Sequence, residues 1–120
     1  MTLQECYSAL GGSYDEVISR LRSERLVQKF VLKFLDDKSM ELLKTSMVEE
    51  TYEEAFRAAH TIKGICQNLS FTRLYESSSA LSEALRDGFR PEAPALAKQV
   101  EQDYEETAAA IREFQGGLQE

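Results

Sequence analysis

The C-terminal quarter of the chain has mostly apolar residues spaced by four or three positions, and this spacing restricts the fold more than any other feature. The residues on this stripe are Leu96, Val100, Tyr104, Thr107, Ile111, Phe114 and Leu118. Because an α-helix turns once every ~3.6 residues, the spacing places them all on one face of a helix. Such a stripe is typical of a helix that packs against other helices in a bundle.

Comparable helical spacing occurs upstream, and no stretch shows the alternation of a β-strand. The clearest runs are Leu26, Val27, Phe30, Val31, Phe34, Leu35 and then Phe71, Leu74, Ser78, Leu81, Leu85. We therefore predict an all-α fold, an antiparallel four-helix bundle with one or two short N-terminal helices as a lid. The predicted bundle helices lie near residues 24–48, 52–69, 71–87 and 94–115.

Three boundaries of these helices are predicted from local chemistry. Asp36–Ser39 interrupts the first range, which is either two helices or one bent helix. Thr51 to Glu54 has the form of a capping box, in which the Thr and Glu side chains each satisfy a free backbone N–H. Ser70 is predicted to cap the start of the following helix.

Length and charge exclude several classes of protein. A chain of 120 residues is the size of one domain, so we expect residues 1–120 to form one. A net charge of −7 opposes general binding to nucleic acid or to an anionic membrane surface. No apolar run is long enough to span a membrane, and no signal peptide is evident. Cys6 and Cys66 fit a reducing compartment, and we expect a cytoplasmic protein.

The only histidine, His60, lies in the middle of the predicted helix 52–69. At about 100° per residue, the apolar positions of this helix fall within roughly 60° of the point opposite His60. These positions are Ala55, Ala58, Ile62, Ile65, Cys66 and Leu69. His60 is therefore predicted to face solvent. The residues near it on the polar face are Glu53, Phe56, Arg57, Lys63, Gly64 and Gln67.

Lys63 and Gly64 distinguish this histidine from an ordinary surface residue. A glycine inside a helix costs about 1 kcal/mol relative to alanine, so Gly64 calls for a steric reason. Bare backbone one turn from His60 leaves room for an approaching molecule. Lys63 places a mobile ammonium within reach of an anionic group attached to the imidazole. The pair Lys63 and Gly64 therefore favours an anionic group on His60.

The motif His60-x-x-Lys63-Gly64 on a helix of a four-helix bundle resembles the histidine phosphotransfer (HPt) domains of bacterial multistep phosphorelays. The flanking residues Ala59, Thr61 and Ile62 are similar to the family's usual sequence, and the resemblance covers most of the chain. Ser70 departs from it, because many members have glycine there. We expect this change to affect loop geometry and not activity.

The resemblance implies a phosphocarrier without kinase activity of its own. His60 would accept a phosphoryl group from the aspartate of a receiver domain, in a response regulator or a hybrid histidine kinase, and pass it to another receiver. Lys63 would screen phosphoryl charge, Gly64 would give access, and Gln67 would donate a hydrogen bond. The chain would need no cofactor, because Mg²⁺ would be held by the receiver, and it would act as a monomer. The predicted docking residues are Glu53, Phe56, Arg57 and Thr61.

Two other classes of function compete with phosphotransfer. A hydrolase with His60 as general base would need a nucleophile and an orienting carboxylate, for which Glu53 is a weak candidate, and one histidine with two separated cysteines does not make a zinc site. A helical adaptor without chemistry is the main alternative. It would be preferred if His60 were buried or covered by the N-terminal helices. Whether Phe56 is an exposed docking residue or lies beneath the lid is left open.

Overall fold

The computed structural model describes residues 1–118, and in that range helices are the only regular secondary structure. The helices are α1 (Leu3–Leu10), α2 (Tyr14–Leu21), α3 (Glu24–Phe34), α4 (Ser39–Val48), α5 (Tyr52–Leu69), α6 (Thr72–Leu85) and α7 (Ala93–Leu118). The predicted all-α class is confirmed. The predicted bounds agree with α5, and α6 and α7 differ from prediction by one to three residues at each end.

The N-terminal helices begin at side chains that accept backbone hydrogen bonds. The hydroxyl oxygen of Thr2 accepts from the Glu5 N–H, and the Glu5 carboxylate accepts from the Thr2 N–H, so the capping box of this protein is at α1. Ser13 and Ser23 cap α2 and α3 in the same way, with one bond each. Helix α1 ends at Gly11, whose φ of 77° lies in the left-handed region that glycine tolerates best.

The predicted range 24–48 is two separate helices, which is the first of the two alternatives that the sequence left open. α3 ends at Phe34 and α4 begins at Ser39. Within the connection, the Ser39 N–H donates to the Asp37 carboxylate at 2.8 Å. Aspartate readily makes such local bonds in place of the helical ones, which is why the break occurs at this polar segment.

Two predicted caps are wrong. The Thr51 side chain accepts no capping bond, and its hydroxyl donates instead to the Ser46 carbonyl at 3.4 Å. Ser70 ends α5 with a left-handed φ of 57° instead of starting α6. The Phe71 N–H donates to the Cys66 carbonyl and the Ser70 N–H to the Gln67 carbonyl, which is the Schellman arrangement. This conformation explains why a glycine would suit the position.

The buried core draws residues from all seven helices. α5 packs against α4 on one side and α6 on the other, and α7 contacts both α6 and α4, so these four helices close into a ring. Short connections join α4 to α5 and α5 to α6, so neighbouring helices in this part of the ring run in opposite directions. α5 therefore has one face against the core and the opposite face free of the other three helices.

The two N-terminal helices lie against the bundle at the C-terminal end of α5. α1 packs along α7, and its Tyr7 hydroxyl donates to the Leu69 carbonyl at 2.8 Å. The Ser13 N–H donates to the Ser70 carbonyl at 2.9 Å. Arg20 of α2 donates to the Asn68 carbonyl and to the Ser70 hydroxyl. The first 21 residues thus hold the α5–α6 turn.

Candidate functional site

Helix α5 carries the candidate site on the face opposite its buried stripe. Its buried residues are Ala55, Ala58, Ala59, Ile62, Cys66 and Leu69. All except Ala59 belong to the predicted stripe, and the remaining predicted member, Ile65, is half-buried. His60 is exposed as predicted, although its neighbour Ala59 is fully buried. The small alanines on the inner face allow α5 to pack closely against its neighbours. Because this face is buried, His60 on the opposite side of the helix points to solvent.

The imidazole of His60 rests on the ring of Phe56, one turn earlier on α5. The two ring centroids are 5.8 Å apart and the ring planes differ by 26°, which is a stacked pair. The guanidinium carbon of Arg86, at the end of α6, lies 5.7 Å from the Phe56 centroid. Arg86 is in turn bound by Glu83 through two hydrogen bonds of 3.2 and 3.1 Å.

The open question about Phe56 is thereby answered. Its side chain is half-buried, and the group beside it is Arg86 and not the N-terminal lid. α1 and α2 reach the end of α5 at Asn68, Leu69 and its cap Ser70, which at 1.5 Å per residue lie about 12–15 Å along the helix from His60. Neither condition that would favour an inert adaptor, a buried His60 or an occluding lid, is met.

Gly64 leaves open space beside His60. A Cβ atom built on Gly64 would meet nothing within 4 Å, so the fold itself does not need glycine here. Lys63 is half-buried, and no ion pair within residues 1–118 includes it. Gln67, one turn beyond Lys63 and Gly64, is exposed. The structure therefore brings these three residues to one open face together with His60.

The remaining predicted docking residues are bound to one another along the helix surface. Arg57 donates to the Glu53 carboxylate at 2.7 Å, and the Thr61 hydroxyl donates to the Arg57 carbonyl at 2.9 Å. All three residues are exposed. An exposed pair such as Glu53–Arg57 contributes less than about 1 kcal/mol to stability, so its side chains can be rearranged by a partner at little cost.

Two residues near the site were missed from the sequence. Arg86 reaches Phe56, and the half-exposed ring of Phe89 lies 5.0 Å from Tyr52 at the start of α5. A signal for Arg86 exists, because Phe56 and Arg86 are nearly equidistant from the turn at Ser70, and residues in such positions of a helical hairpin face each other. Phe89 follows Gly88 in a connection, and no sequence pattern indicates its position.

The other potentially reactive side chains lie away from this face. Burial raises the pKa of the Cys6 thiol to about 11 and raises the pKa of the Cys66 thiol further, so both are protonated near neutral pH. Among residues 1–118, no three His, Cys, Asp or Glu side chains are grouped to hold a metal ion. No helix in the same range is long and apolar enough to cross a membrane.

Comparison with models of protein families matches residues 25–110 to the Hpt domain. The matched range contains α5, α6 and most of the other bundle helices, and it leaves out α1 and α2. No curated protein and no solved structure matches the chain.

Proposed function

Because the chain belongs to the Hpt domain family, whose members are phosphocarriers in phosphorelays, we propose that His60 carries the phosphoryl group. The observation that carries this proposal is the exposure of His60 beside Gly64, where a Cβ would meet nothing within 4 Å. An acceptor must admit a second protein's active site to within bonding distance, and this face of α5 has the required space.

The proposed reaction transfers a phosphoryl group between an aspartyl phosphate and the imidazole. The ring nitrogen of His60 that bears no proton attacks phosphorus, a P–N bond forms, and the bond from phosphorus to the carboxylate oxygen breaks. The free aspartate is the leaving group. In the second step the carboxylate of another receiver attacks the phosphohistidine, and the imidazole leaves. Imidazole suits both steps because it is a neutral nucleophile near pH 7 and a good leaving group once phosphorylated.

Neighbouring side chains have proposed roles that follow from their positions. Lys63 balances negative charge on the transferred group, since an ammonium one turn away reaches a phosphoryl group on the ring. Gln67 donates a hydrogen bond to the ring or to the phosphoryl oxygens. Glu53, Phe56, Arg57 and Thr61 form the proposed contact surface for a receiver domain of a response regulator or hybrid histidine kinase. The Mg²⁺ of the reaction belongs to the receiver's carboxylates, and this chain acts as a monomer in the cytoplasm.

The experiment uses receiver domains encoded in the same genome, each charged with radiolabelled acetyl phosphate and mixed with the purified chain. We expect transfer of label to wild type, in a form that is labile in acid and stable in base, as phosphohistidine is. His60→Gln should take up no label and should unfold at the wild-type temperature, because an exposed side chain contributes little to stability.

Two outcomes would contradict the proposal. Absence of label on wild type with every receiver would favour the helical adaptor, a protein-interaction bundle without phosphotransfer. Label retained in His60→Gln would show that another residue is the acceptor.

A further inference from the structure

The contact between Phe56 and His60 is suited to holding an otherwise mobile ring. Exposed side chains exchange rotamers in picoseconds to nanoseconds, so a free surface histidine samples several orientations. Helical side chains lean toward the N-terminus, which brings the His60 ring over the residue four positions earlier, Phe56. The two ring planes are only 26° apart.

Phe56 is itself held from a second helix. It is half-buried on α5, and the Arg86 guanidinium from the end of α6 lies over its ring at 5.7 Å from the centroid. A guanidinium at this distance is attracted by the aromatic quadrupole. In this arrangement Arg86 also donates two hydrogen bonds to the Glu83 carboxylate. The three side chains form a column that joins α6 to the acceptor ring.

We propose that Phe56 and Arg86 are positioning residues for His60: Phe56 holds the imidazole in one orientation, and Arg86 holds Phe56. This role rests on the proposed function of His60 as phosphoacceptor. In-line transfer requires the attacking nitrogen, the phosphorus and the leaving oxygen to be aligned, so a ring that already has the reactive orientation reacts more often. The residues act through the ring and touch no transferred atom.

The test separates ring orientation from phosphotransfer. In the full-length protein, three-bond NMR couplings measure the χ1 rotamer populations of His60, and ring-to-ring nuclear Overhauser effects measure its contact with Phe56. Phosphoramidate serves as the phosphodonor, because this small molecule reacts with the imidazole without a docking partner. The variants are Phe56→Leu, which keeps an apolar side chain without a ring, Phe56→Tyr, which keeps the ring, and Arg86→Gln.

We expect one dominant His60 rotamer in wild type and averaged couplings in Phe56→Leu. Labelling of Phe56→Leu should be about threefold to tenfold slower, while Phe56→Tyr should restore both couplings and rate. Arg86→Gln should fall between wild type and Phe56→Leu. The matched control is Phe30→Leu, which changes another partly exposed phenylalanine on α3 and should alter neither readout.

The alternatives give different results. Couplings in Phe56→Leu that equal those of wild type would overturn the positioning role, whatever the labelling rate. If Phe56→Leu loses its fold, Arg86→Gln decides the question, since Arg86 is exposed and its loss leaves the core intact. Wild type that takes up no phosphoryl group from phosphoramidate or from receivers would overturn the proposed function, and the couplings would still report whether the column orients the ring.

Discussion

Gly64 is the residue at which the demands of stability and of access differ most clearly. In the middle of α5 it lowers helix stability by about 1 kcal/mol relative to alanine, and nothing around it needs the missing side chain. Its position one turn from His60 suits the proposed approach of a partner's active site to the ring.

We therefore expect Gly64→Gln to be more stable than wild type by about 0.5–1 kcal/mol in urea unfolding, because glutamine is a good helix former. The same variant should accept phosphoryl groups from a receiver domain about tenfold more slowly or worse, a loss equivalent to ~1.4 kcal/mol of barrier. Labelling by phosphoramidate should change much less, because that donor is small.

The control is Gly116→Gln in α7, where a Cβ would also meet nothing within 4 Å. It should leave transfer from the receiver unchanged. Equal transfer rates in the two variants would mean that Gly64 has no role in access. Loss of helical signal in Gly64→Gln would show a structural role instead.

The placement of the candidate site on the surface was largely predictable from local sequence. The exposure of His60 and its shared face with Gly64 and Gln67 follow from helical phase alone. The contact with Arg86 was not predicted, because it joins residues of two helices and depends on how the hairpin packs. The position of a residue around its own helix predicts the direction of its side chain, but it does not predict which residues of another helix the side chain contacts.

The turn between α5 and α6 is the element whose geometry departs most from expectation. Ser70 has the left-handed φ of 57°, which a serine adopts at a cost of roughly 1 kcal/mol. Its hydroxyl accepts a hydrogen bond from Arg20 at 2.9 Å and donates to the Glu16 carboxylate at 3.2 Å. A glycine would avoid the cost but would lose both bonds to α2. The serine thus has an unfavourable backbone conformation but makes two hydrogen bonds to α2.

Two substitutions at Ser70 separate these contributions. Ser70→Ala loses the hydroxyl bonds and keeps the unfavourable φ, so we expect destabilisation of about 1 kcal/mol. Ser70→Gly loses the same bonds and relieves the backbone, so it should be more stable than Ser70→Ala by about 1 kcal/mol and close to wild type. The measurement is urea unfolding followed by circular dichroism. Equal stabilities of the alanine and glycine variants would show that the backbone conformation carries no cost.

The caps predicted at Thr51 and Ser70 were wrong, and the reason is physical. Thr51 and Ser70 have the residue types that cap helices, but capping also requires an extended backbone at that residue. Ser70 is left-handed, and the Thr51 hydroxyl instead turns back to the end of α4. Thr2, Ser13 and Ser23 have the extended conformation and do cap their helices. Residue type alone does not distinguish the two groups.

At the scale of the whole molecule, some ionisable side chains are buried in their neutral form. Their burial makes the free energy of unfolding depend on pH in the alkaline range. Burial raises the pKa of Cys6 to about 11 and raises the pKa values of Tyr7 and Cys66. In the unfolded chain, thiols lose their protons near pH ~8.5 and phenols near pH ~10. The unfolded state therefore binds fewer protons than the folded state above these values. Stability that is fully present at neutral pH is lost as the pH rises.

We expect the free energy of unfolding to fall steadily between about pH 8 and pH 10.5, with a steeper fall in wild type than in Cys66→Ala. Urea titrations at several pH values measure the slope, and the alanine variant removes one of the titrating thiols. In the same range, a thiol reagent should react slowly with the native protein and rapidly once it is unfolded. A free energy of unfolding that is constant up to pH 10.5 would contradict the linkage.

Helices α1 and α2 contribute to the buried core although they lie outside the range matched to the Hpt domain. The matched range begins at residue 25, yet Leu3, Cys6, Tyr7, Leu10 and Val17 are almost completely buried. The segment that is recognisable by homology is thus smaller than the segment that supplies the buried core. In gene fusion or recombination, a breakpoint at the edge of the recognisable segment would separate the bundle from part of its own interior. The portable unit of this protein includes its N-terminal helices.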